Sequence, residues 1–186
     1  IHLRDLGRSF SRTYDARYAS TFSETTRAND EHGVYLGAEF ANIRHWRFSL
    51  YSDFFCFSGP KYSIRDSLSW GYDLLAEADF SPSSRTSMRW RVRAKRKGQQ
   101  DLYSFRYQLQ NTFSHCSLLS RLDANICRHP SSPLILFEPA DNEDEEPLTY
   151  GAFLSEQFEY RFQSVPLVAQ LRLQGFYIPD YSNRIY

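Results

Sequence analysis

The sequence predicts an all-β fold, an antiparallel up-and-down meander of about nine to ten long strands. Three observations predict it. Residues 71–95 alternate apolar and charged side chains with a period of two, through a tight turn and back. The same plan recurs along the chain in stretches of about ten residues, longer than the ~5–6 of an ordinary strand. The connections between the stretches alternate in length, a short turn at one end and a longer link at the other.

The 71–95 hairpin carries the pattern most clearly. Met88, Trp90, Val92 and Ala94 alternate with Arg89, Arg91, Arg93 and Lys95. Successive side chains of a strand point to opposite faces, so one face is apolar and the other carries four cations. On the preceding strand, Tyr72, Leu74, Ala76, Ala78 and Phe80 alternate with Asp73, Leu75, Glu77 and Asp79. Pairing across residues 81–85 puts carboxylates beside guanidiniums, which favours the hairpin. A helical period would scatter those arginines around an axis.

The other strands follow in order. Residues 1–11 read as the end of a preceding element or loop, and the first clear strand is 14–22, with Tyr14, Tyr18 and Phe22 on one face. After the polar link 24–32 comes 33–41, with Val34, Leu36, Ala38 and Phe40 on one face and Gly37 marking a bend or close packing. The turn 42–45 leads to 46–57, where Trp46, Phe48, Leu50, Phe54 and Cys56 oppose Arg47, Ser49, Tyr51 and Asp53. The long link 58–67 contains Gly59-Pro60, a breaker. Beyond the hairpin and the polar link 96–101, residues 102–113 set Tyr103, Phe105, Tyr107 and Leu109 against Ser104, Arg106, Gln108 and Gln110. The turn 114–116 precedes 117–126, where Leu118, Leu122, Ala124 and Ile126 oppose Arg121, Asp123 and Asn125. The longest link, 127–148, holds the apolar run 134–137 and the acidic run 141–146. Residues 149–162 carry Tyr150, Ala152, Leu154, Phe158, Tyr160 and Phe162 on a face that Glu156 interrupts. After the turn 163–166, residues 167–178 set Leu167, Ala169, Leu171, Leu173 and Tyr177 against Gln170, Arg172 and Gln174.

Strands of this length with short turns at one end and long links at the other meet the geometry of an outer-membrane β-barrel. On that reading residues 1–186 are one barrel region with 127–148 as its long external loop. The end of the chain, 182–186, reads as the start of another strand, so the region is expected to be part of a longer barrel. Composition agrees. The 186 residues have a formal net charge of zero, so no bulk basic field points to nucleic acid. No apolar run approaches the ~20 residues of a membrane helix, which leaves a barrel open. The chain has 15 Phe, 13 Tyr and 3 Trp, residues that suit strands and membrane interfaces. Cys56, Cys116 and Cys127 are odd in number and are expected to be inert thiols.

The chain also resembles the C-terminal barrel region of helix-hairpin-helix-containing outer-membrane proteins of the Bacteroidota type. The resemblance rests on short pieces from end to end: LGRSF from Leu6, EHGVYLG from Glu31, YSDFF from Tyr51, DFSPS from Asp79 and DYSNRIY from Asp180. It implies an outer-membrane barrel and a truncated chain. The helix-hairpin-helix part is absent here, so no DNA-binding residue is implied, and neither is a catalytic one.

The chemistry follows from the faces. Glu77, Asp79, Arg89, Arg91, Arg93, Lys95, Arg106, Arg121 and Asp123 are expected to face the barrel lumen. There they either hold one another in ion pairs or favour anions. Trp46, Phe48, Trp90, Tyr103, Phe105, Tyr150 and Tyr177, with Phe113 and Phe162, are expected at the lipid or its interface. The acidic loop lacks the spacing of a helix-flanked calcium site and reads as solvated. His32 and His129 fall in long links, His45 and His115 in turns. No nucleophile elbow, phosphate loop or zinc motif is present, and no cofactor or metal is expected. The function read from the sequence is a non-enzymatic pore or membrane scaffold in the outer membrane of a Gram-negative bacterium. Its partners are the lipid bilayer and other envelope proteins. The alternatives are a soluble β-sandwich or barrel that binds a partner through its loops and, more weakly, a barrel hydrolase using His129 and Asp53.

Overall fold

In the computed structural model, which describes residues 1–11, 23, 30–59, 69–98, 100–128, 148–179 and 183, nine strands form one sheet in sequence order. They are β1 (His2–Phe10), β2 (Glu31–Ile43), β3 (Trp46–Phe57), β4 (Ser69–Ser83), β5 (Thr86–Lys97), β6 (Gln100–Thr112), β7 (Cys116–Arg128), β8 (Leu148–Arg161) and β9 (Val168–Tyr177). Every neighbouring pair is antiparallel. The predicted all-β meander is therefore the observed one.

Three expectations are corrected. Residues 2–10 are a full strand rather than the end of a preceding element, and they pair with β2 from His2↔Glu39 to Phe10↔Glu31. The expected first strand at 14–22 lies outside the described residues. The link 96–101 is not long. Arg96, Lys97, Gln100 and Asp101 all belong to strands, paired Arg96↔Asp101 and Lys97↔Gln100. β5 runs to Lys97 and β6 starts at Gln100, and Gly98 between them has φ 62, a left-handed conformation that suits glycine. His32 likewise sits in β2 rather than in a link, and its ring Nδ1 lies 2.8 Å from Ser9 Oγ.

The opposite end of the sheet is uniformly tight. Arg44 (φ 43) and His45 (φ 73) alone join β2 to β3, both left-handed as a two-residue hairpin of the favoured twist requires. Ser84 and Arg85 join β4 to β5, where the Ser83 hydroxyl accepts from the Arg85 and Thr86 amides at 3.2 Å each. Both hairpins carry a register shift just before the turn, between Phe40 and Ile43 and between Phe80 and Ser83. Each turn is tied to the next strand. Ser81 N donates to His45 O at 2.9 Å, Thr112 N to Arg85 O and Arg161 N to His115 O at 2.7 Å each. The rim therefore steps upward from one hairpin to the next.

The register assigns every strand residue to one of two faces. Arg47, Asp79, Arg89, Gln108, Arg121 and Ser155 lie in one cross-strand row; Phe48, Ala78, Trp90, Tyr107, Leu122 and Leu154 lie in the next, on the opposite face. Burial follows the faces in the inverse of the usual sense. Arg8, Glu31, Asp53, Ser69, Asp73, Asp123, Asn125 and Ser155 are buried and all lie on the charged face. The apolar face keeps Leu36, Leu50, Leu74, Val92, Leu122, Leu154 and Leu171 exposed, Val92 at 54%. The small apolar cluster, Phe55 and Phe57, is also on the charged face. Glycines fit this arrangement. A Cβ on Gly33 would meet the Arg8 guanidinium at 2.7 Å, one on Gly37 the Tyr35 hydroxyl at 2.9 Å, and one on Gly71 the Phe55 ring at 2.6 Å. These glycines make room on the crowded face, whereas Gly7 and Gly175, on the apolar face, have nothing within 4 Å.

Candidate functional site

The nine charged residues expected to share a face do so, and they form clusters of ion pairs on it. Arg89 Nε donates to Asp79 Oδ1 at 2.5 Å and Arg91 Nε to Glu77 Oε2 at 2.6 Å, both directly across the β4–β5 hairpin. Arg93 reaches diagonally to Asp73, with Nε on Oδ1 at 2.7 Å and Nη2 on Oδ2; Lys95 Nζ joins the same carboxylate at 3.2 Å. Farther along, Asp123 accepts from Arg106 and, at 2.5 Å, from Arg121 Nε.

Like charges stand opposite each other at two points, an arrangement that opposes pairing unless each finds another partner. Arg91 faces Arg106, and they turn apart, to Glu77 and to Asp123. Asp53 faces Asp73, and the cations come from opposite sides, Arg8 to Asp53 and Arg93 with Lys95 to Asp73. Arg8, Glu31 and Asp53 form the most deeply buried part. Arg8 Nε donates to Glu31 Oε1 and Nη1 to Asp53 Oδ1, both at 2.7 Å, with side chains 3%, 0% and 3% exposed. Arg8, Glu31 and Asp73 were missed as site residues, and Asp53 was considered only as a hydrolase residue, not as part of an ion-pair cluster. Their partners are 23 and 45 residues apart, a separation that no local pattern encodes.

The seven expected aromatics, Trp46, Phe48, Trp90, Tyr103, Phe105, Tyr150 and Tyr177, all fall on the apolar face. All but Phe105, which lies opposite Val92, fall toward one or other of two bands. Toward the tight turns, Trp46 stacks on Phe48 (5.4 Å), Phe80 (4.5 Å) and Trp90 (5.7 Å), and Trp90 meets Tyr107 at 5.7 Å. Tyr160 meets Phe162 edge-on at 5.0 Å near the same rim. Toward the other end, Trp70 meets Tyr72 at 6.3 Å and Tyr150 meets Tyr177 at 6.0 Å. Trp70 pairs with Cys56, so the bands stand apart by the stretch of β3 from Trp46 to Cys56. That is roughly 33 Å along a strand, or about 25 Å along the axis of a barrel with strands tilted ~40°. Between the bands the side chains are mostly aliphatic or small; Phe105, opposite Val92, and Asp5 on the edge strand β1, opposite Leu36, are the exceptions. A shallow hollow of about 660 Å³ there is lined by Leu36, Leu50, Leu74, Val92 and Ala94 among others.

No protein-family model, curated protein or solved structure matches this chain.

Glu156, the one charge expected to mar the apolar face of β8, has a partner. Ser120, directly opposite on β7, donates to Glu156 Oε2 at 2.7 Å. The pair lies in the cross-strand row of Phe80 and Met88, level with the aromatic band rather than between the bands. Arg96 and Asp101, also on the apolar face, pair at 3.7 Å at its other margin, with Arg96 over the Trp70 ring at 5.2 Å.

The remaining candidates divide. Asp53 is held by Arg8, and His129, its expected companion in a hydrolase, lies outside the described residues, as do the acidic run 141–146 and the apolar run 134–137. Among the described residues, no group of three His, Cys, Asp or Glu is placed to hold a metal ion. The three cysteines are free. Cys56 and Cys127 end their strands on the same rim but on opposite faces, with β4, β5 and β6 between those strands.

Proposed function

We propose that this chain forms part of the wall of an outer-membrane β-barrel in a Gram-negative bacterium, serving as a pore or membrane scaffold rather than as an enzyme. The single observation that carries the reading is the inverted burial: charged side chains enclosed, aliphatic ones exposed along the whole opposite face. A water-soluble sheet gains its stability by covering such a face with a second layer. Among the described residues there is one sheet and no second layer. Acyl chains would supply the missing cover, and the shallow apolar hollow is a surface they would fill. The two aromatic bands support the same reading, because the polar edges of Trp and Tyr favour the headgroup level on either side of an apolar zone. Strands of 9 to 15 residues are long enough to cross.

The topology adds a condition. β1 and β9 both run from the tight rim toward the other rim, so joining them directly would create a parallel pair. An entirely antiparallel barrel closes only with an odd number of further strands between them. β9 is exposed at every residue, as an open edge would be.

Cell fractionation of the natural full-length protein tests the proposal. It predicts recovery in the outer membrane and a folded band that migrates faster on an unheated gel than on a heated one. Recovery as a protein soluble without detergent would overturn it and favour the soluble partner-binding alternative.

A further inference from the structure

We propose that a small oxyanion, a phosphate, sulfate or carboxylate group, binds on the charged face beside the tight-turn rim, between Arg47, Arg89, Gln108 and Gln110. A hollow of about 300 Å³ opens there, lined by these four together with Asp79, Ser81 and Ser87. The register explains the convergence. Arg47, Asp79, Arg89 and Gln108 form one cross-strand row from β3 to β6, and Ser87 pairs with Gln110 one step nearer the turn.

The donor inventory points to an anion. Among the described residues, Asp79 is the one carboxylate lining the hollow, and it is shared by two guanidiniums, Arg89 Nε at 2.5 Å and Arg47 Nε at 3.4 Å. Arg89 Nε also lies 3.7 Å from Glu77, but that carboxylate is taken up by Arg91 at 2.5 Å. Each guanidinium carries five N–H donors in a planar fork. Arg47 and Arg89 approach their acid partners through Nε, and among the described residues their terminal amino groups make no hydrogen bond. Among the described residues, the side-chain amides of Gln108 and Gln110 and the Ser87 hydroxyl also make no hydrogen bond. The hollow thus gathers one net positive charge and five side chains with donors to spare. It is partly shielded by the sheet, where charge-assisted hydrogen bonds are stronger than in water. Two guanidiniums with amide and hydroxyl donors around them suit a tetrahedral or planar oxyanion better than a sugar or a cation. The site does not depend on whether the barrel conducts.

The test is ³¹P line broadening of inorganic phosphate by the folded chain in a maltoside detergent. The expected result is saturable broadening that sulfate reverses and chloride at equal ionic strength does not. Arg89→Gln should weaken phosphate binding at least tenfold. Gln108→Glu should do the same, because its carboxylate takes up the Arg89 donors and repels an anion while Arg47, Asp79 and Arg89 all remain, and so it reports on the site even where Arg89→Gln fails to fold. Arg172→Gln, an exposed guanidinium on β9 bonded to Gln157, should change nothing. Absence of broadening with the wild type, or undiminished broadening with Gln108→Glu, would overturn the proposal.

Discussion

Val92→Arg should lose ~2–4 kcal/mol of folding stability in lipid bilayers, whereas Arg91→Gln, its immediate neighbour, should fold with little loss. Val92 lies between the two aromatic bands on the apolar face and is 54% exposed. In water, an arginine at a half-exposed strand position is tolerated to within ~0.5 kcal/mol. At the middle of a membrane it costs ~2–4 kcal/mol, because the guanidinium must be desolvated or drag water inward. Arg91 points the other way, onto Glu77. Removing its charge leaves a carboxylate that still has Arg89 at 3.7 Å. Urea titration of each variant refolded into vesicles measures both effects. Equal stability of the two variants would contradict the assignment of faces, and a Val92→Arg protein as stable as wild type would remove the lipid-facing role from this surface.

Arg8→Ala should be the most damaging change on the charged face, with a loss of ~3–5 kcal/mol in the same titration. Arg8 is the shared partner of Glu31 and Asp53, and all three side chains are almost fully enclosed. Its removal leaves two carboxylates without their cation in a poorly hydrated place, and Asp53 then faces Asp73 across the β3–β4 ladder with one less positive charge nearby. β1 is an edge strand, so the same loss weakens its attachment to β2. Arg8→Lys restores the charge but not the fork that reaches both acids, and should recover only part of the stability. Replacing all three together by apolar residues of similar volume should be much milder than Arg8→Ala, because no buried charge is then orphaned. A loss below ~1 kcal/mol for Arg8→Ala would show that the triad is hydrated and not a structural clasp.

The two faces were legible in the sequence because period-two alternation is a local property. Met88 to Lys95 reports its own geometry without reference to the rest of the chain. β1 was not legible, and its pattern explains why. His2, Arg4, Leu6, Arg8 and Phe10 mix charge and apolarity on one face, while Asp5, Gly7 and Ser9 dilute the other. That strand is specified by Arg8 and its distant acids, and such information appears only when the sheet brings 8, 31 and 53 together. The β5–β6 turn was hidden for a different reason. Arg96, Lys97, Gln100 and Asp101 are polar on both faces and read as a loop, yet they continue the ladder beyond the apolar zone. Polarity there marks the margin of the apolar surface and not the end of the strands. Glu156 was legible as an anomaly, but its resolution by Ser120 needed the register of β7 against β8. The oxyanion hollow was invisible for the same reason, since its donors come from β3, β5 and β6 and meet only through pairing.

All three tryptophans of the chain, Trp46, Trp70 and Trp90, lie on the apolar face within the aromatic bands. Their fluorescence in vesicles of brominated lipid therefore tests the central claim directly, because bromine quenches an indole only on near contact. The account predicts strong quenching, greater when the bromines sit close to the headgroups than when they sit at the bilayer centre. Fluorescence unchanged by bromination at either depth would mean that the exposed apolar face does not meet lipid, and would contradict the membrane reading.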